Sequence, residues 1–164
     1  MQNKDKELLK ILRLAFFSGF AGGMAEVVFI LLYSQFTKTD PIVIGSEITR
    51  SFSHFYETGL VAALSGLFIH FALSFITALF FITVIMPLFK LTYSKNRILS
   101  TGLIYLAIIW SVNFLILLPK INMVFVELFP YIITLTSKLL FGYSMSVYLT
   151  NGTQNNPTIY VRCK

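Results

Sequence analysis

The sequence is poor in charged residues and in cysteine, and each shortage excludes a class of protein. Only 12% of the 164 residues are charged and 56% are hydrophobic, whereas soluble domains carry about 25% charged residues. A soluble fold of this size cannot bury so much apolar surface, so we expect lipid to surround these side chains. The single cysteine, Cys163, excludes an intrachain disulfide and any cysteine-based zinc or iron–sulfur site.

Motifs of the common catalytic sites are also missing. The sequence contains no HExxH, GxSxG or CxxC motif, and its seven acidic residues leave few ligands for a binuclear metal site. The net charge of +6 is not arranged as a basic patch interleaved with aromatic residues, as nucleic-acid binding would need. We therefore expect a protein that is not an enzyme, has no metal site and binds no nucleic acid. Whether the protein binds a cofactor stays open.

What the sequence has is four long apolar runs, at residues 14–33, 60–85, 99–118 and 131–149. Each is close to the roughly 20 residues that one membrane crossing needs. Lipid cannot satisfy free backbone groups, and barrel strands would be shorter and would alternate in polarity, so the runs predict α-helices. The first run contains Glu26 and lacks a cleavage site, which favours a retained span over a signal peptide. We expect an all-α integral membrane protein, a single domain over 1–164 built as a four-transmembrane-helix bundle.

The basic residues predict the orientation of the bundle, because cytoplasmic segments collect Lys and Arg. One side has only Lys38, Arg50 and Lys120. The other side has nine basic residues: Lys4, Lys6, Lys10, Arg13, Lys90, Lys95, Arg97, Arg162 and Lys164. We therefore expect both termini in the cytoplasm, with a bacterial inner membrane as the location.

The first outer loop, residues 34–58, is too long for a simple turn. Its segment Thr39-Asp40-Pro41 predicts a helix start, since Pro is favoured at the first helical position. Apolar and polar side chains then fall on separate faces, which predicts a short amphipathic helix lying in the outer interface with its polar face solvated. The apolar face comprises Ile44, Ile48, Phe52 and Phe55, and the polar face comprises Glu47, Arg50, His54 and Glu57.

Each predicted span contains one strongly polar side chain away from its ends. These residues are Glu26, His70, Asn113 and Lys138. At about 1.5 Å per residue they lie roughly 15 to 21 Å from the cytoplasmic face of a core about 30 Å thick. All four therefore occupy one layer, and we expect them to form a buried polar cluster.

Small residues recur on the same faces at a spacing of one helical turn. They let transmembrane helices approach closely, which indicates that the polar side chains are buried between helices. The predicted packing glycines are Gly19, Gly22, Gly23, Gly66 and Gly142.

An isolated charge at mid-membrane costs about 2.5 to 3.5 kcal/mol on insertion scales, so we expect Glu26 and Lys138 to meet. Their contact is either an ion pair or a neutral pair, and its role is either a structural lock or a proton-handling site. His70 and Asn113 would supply further hydrogen bonds between helices.

Three functions remain open. The small size, the apolar composition and the close-packing residues favour a non-catalytic accessory or interaction subunit of a membrane complex, with other membrane subunits or a second copy as partner. Intramembrane ionisable residues favour a small proton-coupled transporter or carrier using Glu26, His70 and Lys138. Ala25-Glu26-Val27 resembles the corresponding piece of the small multidrug transporters, over these few residues alone. A haem-binding electron carrier would use His70 from two chains.

Overall fold

The computed structural model describes residues 2–52, 59–91 and 94–154, and all the regular structure in these ranges is helical. Four helices are long and apolar enough to cross a membrane, which confirms the all-α class and the number of long apolar helices. The long helices are α1 (Gln2–Thr37), α3 (Leu60–Leu88), α4 (Lys95–Ile121) and α6 (Tyr131–Gln154), and the short ones are α2 (Pro41–Phe52) and α5 (Met123–Glu127).

Every long helix extends beyond the apolar run that predicted it. The apolar run marks only the hydrophobic middle, whereas the backbone continues until a residue breaks the helical pattern. Thus α1 continues to Thr37, and Lys38 then adopts a left-handed conformation with φ 58°. The Asp40 carboxylate next accepts a hydrogen bond of 2.8 Å from the Ile42 N–H, with Pro41 at the first position of α2. The predicted start of the loop helix is therefore confirmed.

Two of the long helices contain one π-helical turn, and a proline follows each turn. The π turn Phe81–Ile85 precedes Pro87 in α3, and Asn113–Leu117 precedes Pro119 in α4. A proline ring clashes with the carbonyl four residues earlier and cannot donate to it. In both helices that carbonyl belongs to the π turn, where the wider backbone accommodates the ring.

The long helices pack in the order α3, α1, α6, α4, with α1 and α6 in the middle. Their main apolar core lies at the end where α1 begins and α6 ends, here called the terminal end. There the Tyr105 hydroxyl of α4 donates to the Thr77 carbonyl of α3 at 3.1 Å, which joins the two outer members of the row. The fully buried core side chains include Ala15, Ala78, Phe81, Ile98, Leu106, Phe141, Met145 and Leu149.

Helix α2 packs against α3 at the opposite end, here called the loop end. A Cβ on Gly66 would collide with the Gly45 backbone carbonyl, so the two glycines allow the helices to touch. The Thr49 hydroxyl of α2 also donates to the Ala62 carbonyl of α3 at 2.6 Å. Helix α2 is therefore fixed to the bundle along one side.

The prediction of a fully solvated polar face on α2 was wrong for Glu47. Its residue exposure is only 5%, because α2 lies against α3 and because Asn122, from the opposite loop, binds it. Arg50 is exposed, as expected of a solvated face. On the predicted apolar face Ile44 is buried and Phe52 is exposed. His54, Phe55 and Glu57 lie outside the described residues.

Candidate functional site: a polar layer between the helices

Glu26 of α1 and Lys138 of α6 form an ion pair inside the bundle. The Lys138 Nζ lies 2.8 Å from Glu26 Oε1 and 2.8 Å from Oε2, so the ammonium group bridges both carboxylate oxygens. The two side chains are only 11% and 18% exposed, respectively. The Ser137 hydroxyl also lies 3.4 Å from Oε1, and it shares its single proton between this oxygen and the Thr134 carbonyl at 2.8 Å.

Close contact between α1 and α6 brings these charges together. Gly22 stands one turn before Glu26, and a Cβ there would lie 2.8 Å from the ring of Phe141. The absence of a side chain at Gly22 therefore makes room for that ring. The same ring lies 5.8 Å from the Lys138 Nζ and offers its π face to the ammonium group. The carboxylate is thus paired with the ammonium group, and the ammonium group also faces an aromatic ring. These contacts replace water that would otherwise solvate the two charges.

His70 links α3 to α1 rather than joining the ion pair directly. Its Nε2 lies 3.3 Å from the Gly23 carbonyl oxygen. A carbonyl only accepts hydrogen bonds, so this contact places the proton of a neutral ring on Nε2. Gly23 is one turn before Glu26 on α1, and a Cβ there would lie 2.8 Å from the Ser74 hydroxyl oxygen. The His70 hydrogen bond therefore holds α3 against α1 close to the Glu26–Lys138 ion pair.

A third contact joins α6 to α4. The Trp110 indole N–H donates to the Thr134 hydroxyl at 2.9 Å, and that hydroxyl donates to the Tyr131 carbonyl at 3.0 Å. Thr134 is one turn before Lys138, and its own carbonyl accepts from Ser137 at 2.8 Å. Sequence reasoning missed Ser137 and this indole contact, although Thr134 and Lys138 share one helical stripe.

We call the polar layer the six side chains that form these contacts: Glu26, His70, Trp110, Thr134, Ser137 and Lys138. It links the helices pairwise, α3 to α1, α1 to α6 and α6 to α4. The structure does not bring Asn113 into it. In the described part of the chain, no hydrogen bond is formed by the Asn113 side chain, which is half-buried on α4.

Apolar side chains cover the polar layer at both ends. The core of the terminal end lies on one side. On the other side an aromatic group extends from the layer toward the loop end, with ring centroids 6.0 to 6.4 Å apart. Its members are Trp110, Phe114, Phe125, Phe129 and Tyr33. The ion pair is therefore enclosed between two apolar layers, which strengthens its electrostatic attraction.

A second polar cluster lies at the loop end and was not predicted. The Asn122 amide nitrogen lies 3.0 Å from Glu47 Oε2 and 3.1 Å from the Glu47 carbonyl oxygen. The Asn122 Oδ1 accepts from the Phe125 N–H at 3.1 Å and so caps α5. Arg50 Nη1 lies 2.7 Å from Glu47 Oε1. One asparagine therefore ties the two loops of this end together.

The five predicted packing glycines all lie at helix contacts. Gly19 and Gly23 of α1 face Ser74 of α3, Gly22 faces Phe141, Gly66 faces Gly45, and Gly142 of α6 faces Gly102 of α4. Gly45 and Gly102 were missed, because Gly45 lies outside the four apolar runs and Gly102 has no small residue one turn away.

Neither a metal-binding group among the described residues nor a match to known proteins assigns a role to the polar layer. Among the described residues there is no group of three or more His, Cys, Asp or Glu side chains that could hold a metal ion. Comparison with protein-family models, with curated proteins and with solved structures gave no match to this chain.

Proposed function

We propose that this chain is an integral membrane protein that crosses a bacterial inner membrane four times, with both termini in the cytoplasm. We propose further that it is a non-catalytic accessory or interaction subunit, in which the polar layer fixes the register of the helices. The surface that the bundle leaves uncovered would contact lipid and the other subunits.

The observation that carries this proposal is the internal pairing of the polar layer. Glu26 and Lys138 neutralise each other, and His70 and Trp110 each bond to a neighbouring helix. At the same time only 22% to 39% of the residues in the most apolar stretch of each long helix are buried. A chain with its charged pair turned inward and many large apolar side chains exposed on its sides is suited to association within a membrane.

Purification from native membranes tests the interaction role. The tagged full-length chain is extracted in a mild detergent, and the copurifying proteins are compared with those of a matched tagged membrane protein. We expect at least one other membrane protein at a constant ratio to the chain. A chain that purifies with no other membrane protein would contradict the accessory role.

A small proton-coupled carrier is the second candidate, and it is favoured by the Glu26–Lys138 pair with His70 bonded one turn away on α1, at Gly23. A carrier would need the ion pair to open during transport. The variant Glu26→Gln, reconstituted in liposomes under a pH gradient, separates the two roles. Loss of a proton flux that the wild type supports would favour the carrier, whereas the same flux in both proteins would remove it.

Haem binding through His70 has less support. The His70 Nε2 is bonded to the Gly23 carbonyl, so ligation through this atom would first have to break that bond. Absence of a Soret absorption band from the purified protein would contradict haem binding.

A further inference from the structure

Asn113 is a strongly polar side chain of α4 for which the bundle supplies no hydrogen-bond partner among the described residues. It stands at the start of the π turn of α4, and no hydrogen bond within the described ranges involves its carboxamide. Its neighbour Ser111 differs, because the Ser111 hydroxyl already donates to the Ala107 carbonyl of its own helix at 2.9 Å. Trp110 likewise has Thr134. Of these three neighbouring side chains on α4, Asn113 is therefore the one without a hydrogen-bond partner in the described ranges.

Asn113 is half-buried and stands between the buried face of α4 and an exposed apolar face of the same helix. Trp110 and Phe114 point inward and are buried, while the residues around Asn113 on the other side are exposed. These exposed residues are Ile108 (58%), Val112 (42%), Leu115 (54%) and Ile116 (51%). In hydrocarbon an amide without partners is costly, and asparagine side chains relieve this cost by bonding between transmembrane helices.

We propose that this face of α4 binds a second copy of the chain, forming a parallel dimer in which the two Asn113 carboxamides bond to each other. In such a dimer the second Asn113 supplies the missing hydrogen-bond partner, so no other molecule has to be assumed. A carboxamide carries both donors and an acceptor, so it is complementary to itself. A twofold axis along the membrane normal also places both copies of Asn113 at the same depth.

Other occupants would need an additional coincidence. A lipid tail offers no hydrogen bond, and an unrelated helix would need its own polar residue at this level of the membrane. The inference rests on the proposed membrane placement, and it deepens the proposed interaction role by naming one partner. A dimer and a foreign subunit are compatible, because α1 and α3 also carry exposed apolar side chains.

Energy transfer between copies in lipid tests the dimer. Two samples of the chain are labelled at the single cysteine, Cys163, with a donor and an acceptor dye, and mixed in vesicles of phosphatidylethanolamine and phosphatidylglycerol. We expect transfer that falls as lipid dilutes the protein, because a parallel dimer keeps the two C-terminal tails on the same side. Asn113→Leu should weaken the association about threefold to thirtyfold, while Asn113→Gln should retain most of it.

Ser111→Ala is the matched control, because it removes a hydroxyl that its own helix already satisfies, and it should leave the association unchanged. Circular dichroism of each variant in vesicles shows that it has folded. A second test replaces Cys163 by Ser and uses Ile116→Cys, which lies on the proposed face and keeps Asn113. This variant should form a disulfide dimer on oxidation, whereas Leu32→Cys, on an exposed position of α1, should not.

Transfer no greater than that of randomly mixed labels at every dilution would overturn the dimer, as would a folded Asn113→Leu variant that associates like the wild type. These outcomes are separate from failure of the accessory role. If a foreign subunit copurifies and is released by Asn113→Leu while labelled copies stay apart, the second copy is the wrong occupant and the accessory role stands. If labelled copies associate and no foreign protein copurifies, the dimer stands and the accessory role is wrong.

Discussion

Glu26 and Lys138 are paired inside the bundle, where each provides the counter-charge of the other. Such a pair adds little stability relative to two apolar side chains of the same size, because both groups had to leave water. Its importance appears when one partner is removed, since the remaining charge is then enclosed without a counter-charge. Removing one of the two side chains should therefore cost more stability than removing both.

A double-mutant cycle at these two positions measures the coupling. Glu26→Gln and Lys138→Met should each lower the free energy of unfolding by about 3 kcal/mol, because each leaves one unpaired buried charge. The double variant should recover most of this loss. Unfolding of the protein in mixed micelles by increasing amounts of a denaturing detergent supplies the free energies. Additive effects of the two substitutions would show that the pair does not act as a unit.

Helices in this bundle approach each other at glycines, and the consequence of adding a methyl group depends on what it would meet. At Gly66 the obstacle is the backbone carbonyl of Gly45, which cannot move unless α2 shifts. At Gly152 the nearest atom is the end of the Leu14 side chain, at 2.9 Å, and that side chain can change its rotamer. Whether an added methyl group is tolerated thus depends on whether the atom it meets belongs to the backbone or to the flexible end of a side chain.

We expect Gly66→Ala to destabilise the protein by about 1 to 3 kcal/mol, the usual cost of overpacking, and to loosen α2 from α3. Gly152→Ala is the matched control, and its effect should be near zero, because a modest adjustment of Leu14 is offset by the higher helix propensity of Ala. Thermal unfolding in detergent and hydrogen exchange of the backbone amides of α2 measure the two effects. Equal losses from both substitutions would contradict this account of the contact.

At the scale of the whole molecule, the distribution of basic residues and the four long helices together define a topology. The terminal end carries most of the Lys and Arg, and the loop end carries α2 and α5. If the terminal end lies in the cytoplasm, Lys120 near the end of α4 must lie outside and the C-terminal tail inside.

Labelling of intact cells with a membrane-impermeant maleimide tests this topology. The native Cys163 should react only after the membrane is permeabilised. Lys120→Cys, introduced together with Cys163→Ser, should react without permeabilisation. The opposite pattern would mean that the bundle is inverted, and equal labelling of both would mean that the number of crossings is wrong.

The sequence by itself determined the four long helices and the start of the loop helix, but neither α5 nor the π turns. Long apolar runs require helices wherever lipid surrounds the backbone, and Asp40 with Pro41 determines where the loop helix begins. The rise of a helix per residue also gives the depth of each polar side chain, so Glu26 and Lys138 could be placed at one level before their contact was seen. These features depend on one helix at a time, and the sequence contains all the information they need.

Apart from the Glu26–Lys138 pair, only the tertiary structure decided which side chains meet. Successive helical residues differ by about 100° in direction, so residues at one depth can face different neighbours. His70 therefore bonds to the Gly23 carbonyl, and Asn113 lies apart from the polar layer, although sequence depth grouped both with Glu26. Burial of Glu47 by Asn122 joins residues 75 positions apart, which no local pattern could reveal. Contact depends on how each helix is rotated about its axis, and that rotation is set by packing against its neighbours.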